Sequence, residues 1–321
     1  MTKRVLVTGG AGFIGSNLVR GLMEKNYEVH VVDDLSNGFL TFLPSRQEPE
    51  RILIASFDDQ SVLNEIRSKK FSFVFHLAAM PRVSYSVENP LATHDVNVTS
   101  TMKLMDACRG NIEKFVFASS SSIYGNSDQI PTTTDAKSNP RSPYALQKLI
   151  IENYLSLYWD LYSFDSVALR FFNVFGPHQI GNSPYATAVS SWLNAIMKSE
   201  SMRSDGDGSQ VRDMCYVDNV VHACIKAAEH ASPLKGEFFN VGCGENVSNK
   251  EILEYLLKRF PRSQFHTAPW RPGDVMATLA DVTLTRDVIG YTPKVSFWEG
   301  LDRTIKWYME NWDLIKSITN Q

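Results

Sequence analysis

The sequence predicts an α/β chain: a doubly wound parallel sheet with a second, smaller domain interleaved with it. Three observations carry that prediction. Short apolar runs alternate with helix-period stretches through the first half, which is the rhythm of strand–helix–strand units. The runs are continuously apolar, as strands covered on both faces must be. After about Asn173 the rhythm gives way to loop chemistry, in Gly176-Pro-His178 and Gly181-Asn-Ser-Pro184.

In order, Val5 to Thr8 reads as a strand, Phe13 to Lys25 as a helix and Glu28 to Asp33 as a second strand. Further strands are expected at Arg51 to Ala55, Phe73 to His76, Phe115 to Ala118 and Val167 to Phe171. Helices are expected between them at Gln60 to Ser68, Leu91 to Arg109 and Pro143 to Leu161. Asp205-Gly-Asp-Gly208 is a turn, and helices resume at Val217 to His230 and Asn249 to Phe260. The expected division is 1–173, with 213–242 returning to it, and 174–212 with 243–321 as the smaller unit.

Composition narrows the functional classes. The chain has 321 residues, 43% hydrophobic and 21% charged, enough to bury a sizeable core. A formal net charge of −3 lacks the basic footprint of a nucleic-acid binder. No apolar run is long enough for a membrane span, and the N-terminus carries a strand and glycines where a signal peptide needs an apolar stretch. Cys108, Cys215, Cys224 and Cys243 form no C-x-x-C pair and read as buried thiols. The histidines are scattered, with no metal pattern, and His76 reads as a strand-end residue. A soluble cytoplasmic protein is expected.

Between the first strand and first helix lies Thr8-Gly-Gly-Ala-Gly-Phe-Ile-Gly15, which contains G-x-x-G-x-x-G at Gly9, Gly12 and Gly15. Glycines let the backbone turn sharply and approach a pyrophosphate, while Phe13 and Ile14 open a helix whose free N–H groups attract it. Asp33, at the end of the second strand, can accept hydrogen bonds from an adenosine ribose. Asp34 beside it, with no Arg in the next ten residues, would repel a 2′-phosphate. NAD is therefore expected rather than NADP.

Tyr144 and Lys148 form Y-x-x-x-K, one turn apart on one helix face, with Ser142-Pro143 as N-cap and first helical residue. An ammonium near a phenol should lower its pKa and make Tyr144 a general base. Ala118-Ser-Ser-Ser-Ser-Ile-Tyr-Gly125 ends a predicted strand, at the sheet edge where ligands bind. A hydroxyl there can bond the reacting oxygen alongside Tyr144.

Together these residues resemble the extended short-chain dehydrogenase/reductase family, with its Rossmann fold, over nearly the whole chain. Other matching pieces are His76-Leu-Ala-Ala79, Asn97-Val98, Arg170-Phe-Phe-Asn173, Gly206-Asp-Gly208, Arg212-Asp213 and Arg271-Pro-Gly-Asp274. The last set resembles the UDP-hexose 4-epimerase branch. The resemblance implies an NAD-binding first domain and a UDP-sugar-binding second one. It implies Ser120 as the catalytic hydroxyl beside Tyr144 and Lys148. Cofactor contacts would come from Gly9, Gly12, Phe13, Ile14, Gly15, Asp33, Asn37, Ser56, Phe57, Leu77, Ala78, Ala79, Asn97, Tyr144, Lys148 and Phe171. Substrate contacts would come from Arg82, Ser121, Ser122, Asn173, Arg212, Arg271, Asp274 and Thr278. Arg212 and Arg271 would hold the diphosphate, since guanidinium forks match phosphate oxygens.

Two departures from the family stand out. Ala55-Ser56-Phe57 replaces the usual Gly-Asp-Ile near the adenine, and Thr99-Ser100 follows Asn97-Val98 where a Gly is frequent.

The implied reaction is 4-epimerisation of a UDP-hexose through transient oxidation at C4. A 4,6-dehydratase shares the first step but would carry an Asp-Glu pair where this chain has Ser121-Ser122. A UDP-glucose or UDP-glucuronate 4-epimerase, a simple reductase and an NAD-sensing binding protein are the other readings. Thr278 occupies the position where epimerases restricted to unacetylated sugars carry Tyr. That implies room for an acetamido group, and hence UDP-GlcNAc/UDP-GalNAc. The helix from Leu149 to Tyr162 is apolar nearly all round. One face would cover the sheet and another would need a partner, as in a homodimer.

Overall fold

The computed structural model describes residues 2–68, 70–81, 83–182, 186–270 and 275–319. The first half runs β1 (Arg4–Thr8), α1 (Phe13–Glu24), β2 (Glu28–Asp33), β3 (Ile52–Ile54), α2 (Gln60–Arg67) and β4 (Phe73–His76). It continues through α3 (Val83–Glu88), α4 (Pro90–His94), α5 (Thr101–Cys108), β5 (Lys114–Ser120), α6 (Pro143–Tyr162) and β6 (Ser166–Phe171). Then come β7 (Asn173–Phe175), α7 (Ala188–Lys198), β8 (Met202–Asp205), β9 (Val211–Arg212), β10 (Met214–Tyr216), α8 (Val217–Glu229) and β11 (Glu237–Val241). The chain closes with β12 (Val247–Ser248), α9 (Asn249–Arg259), β13 (Phe265–Ala268), α10 (Thr283–Ile289), α11 (Phe297–Glu310) and α12 (Trp312–Thr319).

Seven strands form one parallel sheet in the order β11-β6-β5-β4-β1-β2-β3. The chain steps outward from β1 to β3, then crosses to β4 and steps the other way. The reversal falls between β1 and β4, so a crevice opens at their C-terminal ends. Leu18, Val19 and Leu22 of α1 pack with Val220 and Cys224 of α8 on one face. On the other face Leu63 and Ile66 of α2, Leu104 and Met105 of α5, and Ile151 and Leu155 of α6 seal the sheet. Both faces are covered, which is why the strands read as unbroken apolar runs.

A second core gathers α7, α9, α11 and α12 around Trp192, Leu256, Leu301 and Tyr308. Small two-stranded sheets, β10 with β7, β12 with β9 and β13 with β8, tie it together. Ser248 and Glu251 form a reciprocal capping box that starts α9.

The expected helix Leu91 to Arg109 is instead three pieces. α4 and α5 flank a π-helical turn at Asp95–Ser100. The extra residue of that turn changes which side chains face inward. Asn97, inside it, is buried and reaches both the chain after β4 and α6. β11 and α7, α10, α11 and α12 were outside the expected elements. Of these, α7, α11 and α12 pack in the second core, α10 packs on β11 and α8, and β11 enters the sheet from the second half of the chain.

Candidate active site

The turn after β1 is shaped by what its glycines exclude. Gly9 has φ +69°, and a Cβ there would lie 2.8 Å from the Ala78 nitrogen. A Cβ on Gly15 would lie 2.0 Å from the Gly9 oxygen, so only glycine lets α1 start so close to the turn. At Gly12 a Cβ would meet only the Gly9 oxygen, at 3.2 Å. That contact is tight but single, with no other protein atom outside the neighbouring residues and the helix's own backbone within 4 Å.

Gly12 is the N-cap of α1 and offers no side-chain cap, and the first turn holds no acidic residue. The Phe13, Ile14 and Gly15 N–H groups are those a helix leaves unpaired at its start. Asp33 is buried. Its Oδ2 accepts from Ala11 N at 2.9 Å and its Oδ1 from Leu35 N at 2.9 Å, leaving each oxygen a further lone pair. Burial raises its pKa, against the pull of those N–H groups. This cradle fits a dinucleotide: bare backbone and helix N–H groups for the pyrophosphate, and a carboxylate for a ribose.

Leu77, Ala78 and Ala79 follow β4 and run half-buried beside the turn. Asn97 fixes them from below, accepting from Met80 N at 2.8 Å and donating to Met80 O at 3.1 Å and Gln147 Oε1 at 2.8 Å. Sequence reasoning missed Gln147, which lies between Tyr144 and Lys148 and links this segment to α6. His76 is buried between Thr8 Oγ1 at 2.7 Å and Thr101 Oγ1 at 3.0 Å, and burial keeps it neutral. Asn37 is exposed in the bend after Asp34. Ser56 donates to Asp58 Oδ1 at 2.6 Å, so its hydroxyl is left as an acceptor. The Phe57 ring is in the core, edge-on to His76 at 4.8 Å, and Phe171 is buried at the end of β6.

Tyr144 and Lys148 stand one turn apart on α6, which Ser142 caps by accepting from Ala145 N at 3.2 Å with Pro143 following. The buried Ser86 of α3 accepts from Tyr144 N at 3.1 Å and seats the same turn. Ser120 ends β5. Its Oγ accepts from Ser122 N at 3.2 Å and Ser122 Oγ at 2.9 Å, and its hydroxyl shares a hydrogen bond with the Tyr144 phenol. Ser121 is half-buried in the same turn.

One expectation is corrected here. The Tyr144 pKa is not lowered in the protein alone; burial pushes it up to about 12, with the Ser120 bond pulling the other way. Lys148 does not offset this, because its Nζ donates to Ala118 O at 2.7 Å and lies 5.8 Å from the Tyr144 ring centroid. Burial pushes Lys148 itself down to about 7, opposed by the charge of Glu152. Taking charge out of water outweighs the attraction between ammonium and phenolate.

Asn173 begins β7 and donates from Nδ2 to Thr278 Oγ1 at 3.0 Å and to Asp213 O at 3.2 Å. Asp213 N also donates to Thr278 Oγ1, at 3.2 Å. The Thr278 oxygen is thus occupied as an acceptor while its proton remains to be donated. Asp213, a residue sequence reasoning noted only as part of a motif, organises this side. Its carboxylate accepts from Cys243 N at 2.7 Å, Gly244 N at 3.1 Å and Ala280 N at 3.0 Å. Burial raises it to about 6 against those bonds. Arg212 is half-buried on β9 and donates to Val211 O at 3.0 Å. The expected contacts Arg82, Arg271 and Asp274 lie outside the described residues. Among the described residues no cluster of His, Cys, Asp or Glu is placed to hold a metal.

The family described as NAD dependent epimerase/dehydratase matches residues 5–242. The chain belongs to the NAD-dependent epimerase/dehydratase family. This is the extended short-chain dehydrogenase/reductase group that the motifs suggested, and NAD is its cofactor. A UDP-glucose 4-epimerase of Mycolicibacterium smegmatis is 35% identical over 95% of this chain and 98% of its own. A UDP-N-acetylglucosamine 4-epimerase from Methanobrevibacter ruminantium, solved with UDP-N-acetylmuramic acid, superposes with a TM-score of 0.89. It is 35% identical, covering 97% of this chain and 99% of that one. The UDP-glucose 4-epimerase of Thermus thermophilus, solved with NAD, gives a TM-score of 0.85 at 31% identity, covering 95% and 99%. This family member therefore matches UDP-sugar 4-epimerases over nearly all of its length.

Proposed function

We propose that this epimerase-family chain interconverts UDP-GlcNAc and UDP-GalNAc at C4. The observation that carries a C4 reaction is the Ser120–Tyr144 hydroxyl pair at the C-terminal end of β5, on the same edge of the sheet as the glycine turn after β1. Tyr144 takes the proton from the sugar 4-OH while Ser120 donates a hydrogen bond to the same oxygen. Lys148, as an ammonium, favours the phenolate. NAD, when bound, supplies the hydride acceptor and donor for C4, and the positive charge of its oxidised ring favours an anionic phenol nearby. Gly9, Gly12, Phe13, Ile14, Gly15 and Asp33 would hold it. Arg212 and Arg271 fix the diphosphate, with Asp274 on the uridine ribose, and leave the 4-keto sugar free to turn about that link. Ser121 and Ser122 offer no acid or base for eliminating water, which disfavours 4,6-dehydration.

Thr278 supports the N-acetyl preference. It leaves space a Tyr ring would fill, and its free proton suits the carbonyl of an acetamido group. Product NMR from UDP-GlcNAc and, separately, UDP-glucose tests the reading. UDP-GalNAc should form with bound NAD unconsumed and recoverable on denaturation. Stoichiometric consumption of NAD(H), or inertness toward UDP-GlcNAc, would refute it.

A homodimer belongs to the same proposal. Ile151 and Leu155 of α6 are buried against the sheet, while Leu146, Leu157 and Leu161 are exposed, as are Val87 of α3 and Leu91 of α4, the last 80% accessible. Light scattering at micromolar concentration should give twice the chain mass.

A further inference from the structure

Tyr144, Lys148 and Glu152 recur every four residues on α6, so all three share the face that meets the sheet. Glu152 is 3% exposed and pairs with Arg170 of β6, itself 1% exposed, which donates from Nε at 2.9 Å and from Nη2 at 2.6 Å. Ser119 donates to the same carboxylate at 2.5 Å. A buried ion pair is an expensive way to fill a core, and apolar side chains of like volume serve as well or better. This one is also incomplete, since Arg170 Nη1 is buried with no hydrogen-bond partner among the described residues.

The pair has a direction. The guanidinium sits 3.7 Å from the Phe238 ring centroid and 4.6 Å from that of Tyr124, toward β11. The carboxylate is bonded to Ser119, next to Ala118, whose carbonyl holds Lys148 Nζ. The negative end of the pair is thus the end that Lys148 feels.

We propose that Glu152, anchored by Arg170 and Ser119, is a positioning residue that keeps Lys148 an ammonium and aims it at the end of β5. This rests on the reading of Tyr144 and Lys148 as the acid–base pair. The other ionisable groups about Lys148 are Tyr144 on its own helix, Arg170 on β6, Tyr124 after β5 and the neutral His76 of β4. Of these groups, Glu152 brings the negative charge. Burial alone drives Lys148 toward the neutral amine, and Glu152 is what opposes it.

The test uses the full-length protein with its NAD, as wild type, Glu152→Gln and the double variant Glu152→Gln/Arg170→Met. The double variant removes the unpaired buried guanidinium that could unfold the single one. Two quantities are followed against pH: the Lys148 ε-carbon resonance, assigned by its loss in Lys148→Met, and epimerase turnover. In both variants the Lys148 midpoint should fall by about one unit or more. The alkaline limb of kcat should fall with it, KM staying within about twofold, and Glu152→Asp should restore part of the shift. A folded double variant with the wild-type Lys148 midpoint would overturn the proposal, as would failure of both variants to fold. A moved midpoint with untouched turnover would uphold the proposal and refute the catalytic reading of Lys148.

Discussion

The proposed cofactor cradle and the proposed sugar side are built from different materials. The cradle is backbone: a Cβ on Gly9 or Gly15 would strike the main chain, and the first turn of α1 supplies N–H groups. The proposed sugar side is made of side chains from distant segments. Asn173, Asp213 and Thr278 meet at the Thr278 hydroxyl, which accepts from Asn173 Nδ2 and Asp213 N, while the buried Asp213 carboxylate ties in Cys243, Gly244 and Ala280. A backbone site is rigid and intolerant because its shape is the chain itself. A side-chain site can change what it accepts without disturbing the fold beneath it.

The sharpest way to break this contrast is Gly15→Val. Its Cβ would begin 2.0 Å from the Gly9 oxygen, so the start of α1 must move. NAD that survives gel filtration of the wild type should be absent from this variant, as read by NAD released on denaturation. Retention of a full complement would show that the cradle yields. Next in size is Tyr144→Phe, which removes the proton acceptor and should lower kcat by at least about 10²-fold. UDP-sugar affinity by calorimetry should hold, because the proposed sugar side is untouched.

Thr278→Tyr probes the side-chain half. It should suppress UDP-GlcNAc turnover by about tenfold or more, matching an overpacking cost of about 1–3 kcal/mol, and spare UDP-glucose. Equal losses on both sugars would mean that the wall does not discriminate at C2.

The smallest effect concerns the seam between the halves. His178 bonds Ser16 of α1 at 2.8 Å and stacks on Phe42, with ring centroids 4.5 Å apart. Burial, then the Arg20 charge, lowers its pKa from 6.5 to about 3. Below pH 6.5 the unfolded chain binds a proton that the folded one refuses. Its contribution to stability is therefore complete above about pH 6.5 and is lost as pH falls toward 3. His178→Gln should flatten the fall of Tm across that window. His76, lowered in the same sense, should preserve part of the slope.

How much of this was legible depended on sequence distance. The glycine turn, Asp33, the Ser142-Pro143 cap and the Tyr144/Lys148 spacing are local patterns, set by backbone sterics and helical periodicity. The first six sheet strands were legible for the same reason, as apolar runs between turn signals. Less visible was the π-helical turn that points Asn97 at Met80 and Gln147, since one added residue leaves the apolar rhythm of 91–109 intact.

By itself, then, the sequence determined the wound sheet, the place of the glycine turn between β1 and α1, and the spacing of Tyr144 and Lys148 on one helix face. Only the tertiary structure decided the electrostatic state of those groups. A spacing of four brings Tyr144 and Lys148 together, but burial sets the phenol at about 12 and the amine at about 7. Glu152 and Arg170 are eighteen residues apart, and Asn173 and Thr278 more than a hundred. Charge energies depend on the water removed and the partners gained, and both are fixed only once distant segments pack.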